Sequence, residues 1–303
     1  MISIILPCRN EGKLIVDTIY SIVANKTNIS YEIIVVDDGS IDGCCNSLRT
    51  DLVHTCNYYN VKIVTNQKPL GACKTRNIGV SNSSSKSEYI CFCDAHTFFE
   101  PNWLDKINKC LLDNNDVIVT AGIADSTNPD MCGYGATLNM NEIKDYFHPL
   151  WLSKPNKITE VPFSLGGCMA MSKQLFNNIG GFDEGFQTFG NEDVELSIRT
   201  WLFGYKILAT PFTKIHHVFR TKNPYPISQN DIDYNNLRIA MSHFNEQRIE
   251  KILEQMKSRN NTEYVEQIMS NISKSDVYQQ RIRYLLTRKY DDNFFFNKFN
   301  INF

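Results

Sequence analysis

The sequence is poor in the features that would mark it as a membrane, secreted or nucleic-acid-binding chain. No run of its 303 residues approaches the ~20 consecutive apolar residues of a spanning helix. The opening Met1-Ile2-Ser3-Ile4-Ile5-Leu6 already reads as a strand and carries no basic leader or cleavage signal. Positive charge is not in surplus: 31 Lys and Arg against 33 Asp and Glu give a formal net charge of -2, which argues against a general nucleic-acid binder. None of the ten cysteines forms a Cys-x-x-Cys pair, and Cys44-Cys45 and Cys91-x-Cys93 lack zinc-site spacing. Cys91, Cys93 and Cys168 sit inside apolar runs, where a reduced thiol behaves as a small hydrophobe. The expectation is a reducing, cytoplasmic setting and no transmembrane segment, with contact to a membrane surface left open. No internal repeat is present.

What is there is an ordinary globular composition, 42% apolar and 21% charged, on a chain long enough for one large or two modest domains. Its first half alternates strand and helix signals. Ser3 to Leu6, Glu32 to Val36, Val61 to Val64 and Glu88 to Cys93 are short apolar runs, with helical spacing through Leu14–Ile22 and Ala72–Val80. Pro101 suits the first turn of another helix, and Asp116 to Ala121 is a further β-branched run. Such alternation predicts an α/β fold with a mostly parallel central sheet, helices on both faces, and ligands beyond the carboxyl ends of the strands. The stretch from about Ile123 to Glu160 is rich in Asn, Gly, Pro and Asp and reads as long loops on an acceptor-side surface. Leu165 to Met171 is strand-like, and Ser172 caps a helix that stops at Gly180-Gly181. A stronger helix runs from Glu192 to Phe203. Beyond Arg220 two polar helical segments are expected, roughly 231–257 and 263–290, before a phenylalanine-rich tail.

Two strand ends carry acidic groups. Asp37-Asp38-Gly39-Ser40 is a turn, and its carboxylates also suit a helix N-cap. Tyr89 to Cys93 runs straight into Asp94-Ala95-His96. The period of two lets Asp94 and His96 point the same way once the strand ends. A carboxylate oxygen beside a neutral imidazole suits a cation of mixed O/N preference such as Mn2+.

Taken in order, these blocks resemble the family 2 glycosyltransferases of the GT-A fold. The closest likeness is to the catalytic domain of the polypeptide N-acetylgalactosaminyltransferases. The resemblance covers about residues 2–245. Its motifs are Val35-Val36-Asp37-Asp38-Gly39-Ser40, Gly71-Ala72-Cys73-Lys74-Thr75-Arg76-Asn77, Asp94-Ala95-His96, Gly166-Gly167, Gly181-Phe182-Asp183-Glu184, Gly190-Asn191-Glu192-Asp193 and His217-Val218-Phe219-Arg220. It implies a Rossmann-like catalytic domain over 1–222 and a helical extension over 223–303. The implied activity is sugar transfer from a UDP-sugar to a hydroxyl or thiol on a peptide, glycan or glycolipid.

The resemblance also implies roles. Asp94, His96 and His217 would hold Mn2+ or Mg2+, with only one of His216 and His217 ligating. Asp38 would accept the imide N–H of uracil, with Pro7, Arg9 and Glu11 bordering the base and Arg76 approaching from the other side. Ala95, Gly166 and Gly167 would lie against the donor, Arg220 would contact the diphosphate, and Tyr225 would sit in a loop closing over it. Trp201 matches a family tryptophan and is carried as a donor-side candidate, although a core aromatic is the favoured role for it. At Glu192-Asp193 two implications conflict. Inverting family 2 enzymes use the Asp of such a pair as general base, whereas the polypeptide-transferase branch retains configuration and usually has Glu-Asn. Asp193 makes inversion the expectation. If configuration is retained, Glu192 would contact the donor sugar. A nucleotidyltransferase would need an early glycine-rich basic loop, and Pro7 to Lys13 has only Gly12. A sugar-nucleotide-binding scaffold without catalysis would show broken metal or base positions, and these are intact.

Overall fold

Four apolar runs near the start of the chain become the parallel half of one sheet. The computed structural model describes residues 1–51, 60–114, 116–139 and 147–303. Strands β1 (Ile2–Cys8), β2 (Tyr31–Asp37), β3 (Val61–Thr65) and β4 (Tyr89–Cys93) lie in the order β3-β2-β1-β4, all parallel. β1, β2 and β4 are buried along almost their whole length, because helices cover both faces. These helices are α1 (Leu14–Ala24), α2 (Cys44–Asp51) and α3 (Ala72–Ser81). Gly71 opens α3 at φ 91°, and a Cβ there would stand 2.8 Å from the Thr188 carbonyl oxygen, so only glycine fits.

The other half of the sheet is mixed rather than parallel. It contains β5 (Thr97–Phe99), β6 (Val117–Asp125), β11 (Cys168–Ser172) and β12 (Lys206–His217), and α4 (Trp103–Asp113) packs against it. β11 runs antiparallel between β4 and β6, and β12 is parallel to β6. The reason lies in where β11 begins. Leu165-Gly166-Gly167, expected to be strand, is instead the approach to β11 at the carboxyl end of β4. The chain therefore has to run back down the sheet, with Cys168 opposite Cys93. That reversal leaves Gly166-Gly167 beside Asp94. β12 is long enough for its last residue, His217, to pair with both Thr97 and Asp125.

The segment read as loops holds short strands: β7 (Cys132–Gly133), β8 (Ala136–Leu138), β9 (Pro149–Trp151) and β10 (Thr159–Glu160). Part of it, 140–146, lies outside the described residues. α5 (Lys173–Ile179) begins at Ser172, whose Oγ accepts from Leu175 N at 3.0 Å, and ends at Gly180 with φ 85°, as the sequence indicates. α6 (Glu192–Leu202) follows.

Where two C-terminal helical segments were expected there are α7 (Gln229–His243), α8 (Glu246–Arg259), α9 (Thr262–Ser273), α10 (Val277–Thr287) and α11 (Asp292–Lys298). Asn245 and Asn261 break the pattern, since each side chain caps the next helix by accepting from Arg248 N and Tyr264 N. The phenylalanine tail packs inward: Phe295 and Phe296 are buried, with Phe295 edge-on to Phe163 at 5.5 Å. Two buried ionic networks tie this region to the core. Glu195 accepts from Arg199 Nε at 2.8 Å and Nη2 at 2.6 Å and meets His243 at 2.8 Å. Asp183 accepts from Arg238 at 2.7 and 2.9 Å and from Gln280. Among the described residues no helix is long and apolar enough to cross a membrane, and the nine described cysteines are free.

Candidate active site

The carboxyl ends of the strands open into a cleft of two chambers that share a wall. The first, about 290 Å³, is lined by Pro7, Cys8, Arg9, Glu11, Asp38, Arg76, Ala95, His96, Arg220 and Tyr225. The second, about 410 Å³, is lined by Phe147, Trp151, Gly166, Gly167, Glu192 and Asp193. Arg76, Asp94, Phe189, His217 and Phe219 face both.

Asp94, His96 and His217 converge at the junction. His96 Nε2 and His217 Nε2 stand 3.1 Å apart, and Asp94 Oδ2 is 3.3 Å from His217 Nε2. One donor atom from each of the three falls within a span of 4.8 Å. Two imidazoles and a carboxylate aimed at one point, on residues up to 123 apart in sequence, fit a divalent cation of mixed O/N preference. His216 points elsewhere, 3.7 Å from Glu100. Asp94 is held well below the usual carboxylate range. Burial opposes that shift, but the hydrogen bond with His217 and the charges of His96, His217 and Arg76 outweigh it.

The surroundings position these ligands. Glu11 Oε2 meets His96 Nδ1 at 3.1 Å and also accepts from Arg220, which fixes the imidazole from behind. Arg220 is thus engaged with Glu11 in the wall of the first chamber. Arg76 Nη1 donates to Glu192 Oε1 at 2.7 Å, and its Nη2 lies 3.7 Å from Asp94 Oδ1. It therefore links the Asp94 carboxylate to the first turn of α6. Glu192 Oε2 accepts from Gly190 N at 2.9 Å, so both its oxygens are engaged.

Asp193 is placed differently. Its Oδ2 accepts from Gly166 N at 2.9 Å and its Oδ1 from Val194 N at 2.9 Å, both backbone donors. Burial, then the Glu192 charge, pushes its carboxyl up to about 6. A carboxylate that holds a proton this firmly, in a chamber beside a cation site, is suited to general-base work. Gly166 is confined by the same packing, since a Cβ there would sit 2.9 Å from Arg76 Nη2.

Asp38 lines the first chamber, and its carboxylate also organises the opposite wall. Oδ1 accepts from Asn66 Nδ2 at 2.9 Å and Leu70 N at 2.8 Å, and Oδ2 from Gly71 N at 3.0 Å. With two lone pairs per oxygen, Oδ2 keeps one acceptor position. Tyr225 lies under Arg9, whose guanidinium carbon is 4.3 Å from the ring centroid. Trp201 does not belong to the cleft. It is buried, donates from Nε1 to the Val161 and Pro162 carbonyls at 3.2 and 3.1 Å, and stacks edge-on with Phe299 at 4.9 Å. Its helix turns it away from the face that bears Asp193, so the donor-side expectation for it is corrected.

The sequence did not single out the aromatic rim of the second chamber. Phe189, Trp151 and Phe219 are 39%, 43% and 49% exposed, unusual for such large side chains, and Trp151 and Phe219 meet edge-on at 6.4 Å. Phe219 could have been found inside the His217–Arg220 block, and Phe189 beside Gly190.

The fold is an α/β architecture of the GT-A type. The model for glycosyl transferase family 2 matches residues 3–180, and the chain belongs to that family. A model described as the N-terminal domain of galactosyltransferase matches residues 151–224. Among curated relatives, polypeptide N-acetylgalactosaminyltransferase 11 of Xenopus tropicalis is 26% identical over 258 residues, 79% of this chain and 42% of the relative. Human polypeptide N-acetylgalactosaminyltransferase 3 is 27% identical over 259 residues, 78% of this chain and 40% of the relative. The chain thus spans about two fifths of the length of these relatives. The crystal structure of GalNAc-T7 with UDP, GalNAc and Mn2+ superposes with a TM-score of 0.78 at 18% identity, covering 99% of this chain and 56% of that one. Staphylococcus aureus TarS (residues 1–349) in complex with UDP-GlcNAc gives 0.58 at 17% identity, covering 83% and 70%.

Proposed function

We propose that the chain is a metal-dependent glycosyltransferase moving a HexNAc or hexose from a UDP-sugar to a hydroxyl or thiol, with a peptide side chain as the first acceptor to test. The observation that carries this reading is the placement of Asp94, His96 and His217 at the junction of two chambers, with Asp193 in the second. The first chamber would take the nucleotide and the second the donor sugar and acceptor. GalNAc-T7 and TarS are known in complex with UDP and UDP-GlcNAc respectively, and the curated relatives are named polypeptide transferases. A cation bound at the three ligands supplies charge neutralisation for the departing diphosphate.

The remaining work falls to the chain's own side chains. Asp38 Oδ2 offers its spare acceptor position to the base, and Arg9 and Tyr225 flank the first chamber. Arg76 holds Asp94 and Glu192 in fixed relation, so the cation site and the first turn of α6 move as one. Asp193 takes the acceptor's proton as its oxygen or sulfur attacks the anomeric carbon, and the product is inverted. Glu192 is unsuited to that role because Arg76 and Gly190 already occupy its oxygens. Retention is the second reading, favoured by the polypeptide-transferase relatives, and it would leave Asp193 without a base function. Residues 1–222 form the catalytic unit and 223–303 a helical extension. The free, mostly buried thiols suit a reducing compartment such as the cytoplasm.

The test is a donor screen by UDP release with Mn2+, followed by NMR of the product's anomeric proton. UDP release that disappears in Asp94→Ala supports the transfer reading. Binding of UDP-sugars with no turnover on peptide, glycan or glycolipid acceptors would mean a binding scaffold. Retained configuration would remove Asp193 from the base role.

A further inference from the structure

A second convergence of ligand atoms lies outside the three-residue centre. Cys8 ends β1, and Cys44 and Cys45 open α2. Their sulfurs form a nearly equilateral triangle: Cys8 to Cys44 3.8 Å, Cys8 to Cys45 3.7 Å and Cys44 to Cys45 3.8 Å. Three thiolates at ~2.3 Å from a tetrahedral zinc stand about 3.8 Å from one another, so the triangle already has the dimensions of three corners of a zinc tetrahedron. We propose that Cys8, Cys44 and Cys45 form a binding site for a thiophilic d10 cation, Zn2+ in the first instance, at the rim of the first chamber.

The surroundings support a site over simple packing of thiols. Cys44 and Cys45 occupy the first turn of α2, which holds both sulfurs against the Cys8 sulfur at the end of β1. Asp42 orders the approach to that turn, its Oδ1 accepting from Cys44 N at 3.0 Å and its Oδ2 from Gly12 N at 2.9 Å. Cys8 also lines the first chamber, which gives a cation a path in and a water a route to the fourth corner. The other sulfur group, Cys91, Cys93 and Cys168, has none of these features. It lies within the sheet on β4 and β11 and lines neither chamber; both groups are buried, and what sets the first apart is that Cys8 lines the first chamber. Spacing along the chain hid the first triangle, because its third ligand comes from 36 residues upstream of Cys44.

Bound there, zinc would join the end of β1 to α2. That joins two loops already tied by Asn10 N donating to Ser40 Oγ at 3.0 Å and Ile41 N to Asn10 Oδ1 at 2.8 Å. Each coordinating thiol releases its proton to solvent as the metal–sulfur bond forms, so uptake is accompanied by acidification. The proposal does not depend on the sugar-transfer reading, because the Asp94 centre contains no sulfur.

The test uses the full, reduced chain, stripped of metal and then given Mn2+ to fill the Asp94 centre. Addition of Co2+ should produce a near-ultraviolet thiolate-to-cobalt charge-transfer band that saturates at one equivalent and is displaced by Zn2+. The Cys44→Ser, Cys45→Ser double variant should lose the band, and Cys91→Ala should keep it. If the double variant does not fold, X-ray absorption at the zinc edge of the wild-type protein reads the ligands directly. Three sulfur neighbours at ~2.3 Å support the site. A zinc shell of nitrogen and oxygen only, no charge-transfer band, or a band that survives the double variant would overturn it.

Discussion

The first turn of α6 carries two kinds of acid. Glu192 and Asp193 face the cleft, and Glu195, two residues beyond Asp193, faces the core. Glu195 is closed off by Arg199 and His243, and the companion pair Asp183–Arg238 is closed by Gln280. No fully buried side-chain nitrogen or oxygen of these core residues is left without a partner. Around the cleft, Arg9 Nε, Thr75 Oγ1, Arg76 Nε and His217 Nδ1 all are. Native proteins satisfy nearly all buried polar atoms, so each unsatisfied one calls for a reason; others lie away from the cleft, Ser242 Oγ and Arg248 Nε among them, and it is the place of these four residues on the wall of the first chamber that fits a ligand. The contrast separates charges that hold the fold from charges that await a ligand. The carboxyls follow the same division: Glu195 is held down at about 2, against the effect of its burial, by Arg199 and His243, while Asp193 is pushed up to about 6.

The sharpest way to break that contrast is to exchange the outcomes. Asp94→Ala or His217→Ala should lower transfer by about 10³-fold, since a cation ligand and the charge neutralisation that goes with it are lost. Thermal unfolding should stay near the wild-type value, because these side chains do not hold the core. An Asp94→Ala protein that kept its kcat/KM while losing stability would place Asp94 with the structural group.

Asp183→Ala should do the reverse. It leaves the Arg238 guanidinium buried without its carboxylate, which typically costs about 3–5 kcal/mol. Chemical denaturation should show that loss, while activity per folded molecule stays close to wild type.

The two groups differ in how far the sequence revealed them. Asp94, His96 and His217 were legible because the resemblance set three points in order along the chain. Ser172 and Gly180 were legible because capping chemistry is local. The role of Asp183 was not: it sits in a quoted motif, but its partners Arg238 and Gln280 lie 55 and 97 residues away on helices whose packing no local pattern records. Glu11 was read as bordering a base, while the fold also sets it between His96 and Arg220, the latter 209 residues distant. Trp201 fills the core, the role favoured for it, and its donor-side candidacy fails because motif register along a helix does not say which way the helix is rolled.

A gentler probe is pH. As general base, Asp193 acts only when deprotonated, so kcat/KM should fall below pH ~6, by about tenfold per unit at the acid end, and level off above it. Measuring kcat/KM for transfer across pH 4.5 to 8, with cation saturating throughout, checks this. A flat profile through this range would remove the base role and favour the retaining reading.

The smallest effect expected is one of stability, and it also separates the two groups. The Asp193 carboxyl titrates near 6 in the folded chain, against an ordinary 3.8. The folded state therefore binds more proton than the unfolded state between those values, and stability falls as pH rises through that window. Asp193→Asn removes the ionisation. Its side-chain oxygen can still accept from one of Gly166 N and Val194 N, and the loss of the other offsets part of the gain. The variant should be more stable than wild type by about 1 kcal/mol above pH 6, with the difference vanishing near pH 4. A core carboxylate behaves oppositely. Glu195 is depressed by Arg199 and His243, so its contribution is present at neutral pH and is lost as pH falls through about 2, and Glu195→Gln should destabilise at neutral pH. Paired melting curves for the two amide variants at pH 4 and pH 7 decide the matter: changes of the same sign at pH 7 would mean that the acids of α6 do not divide between ligand and fold.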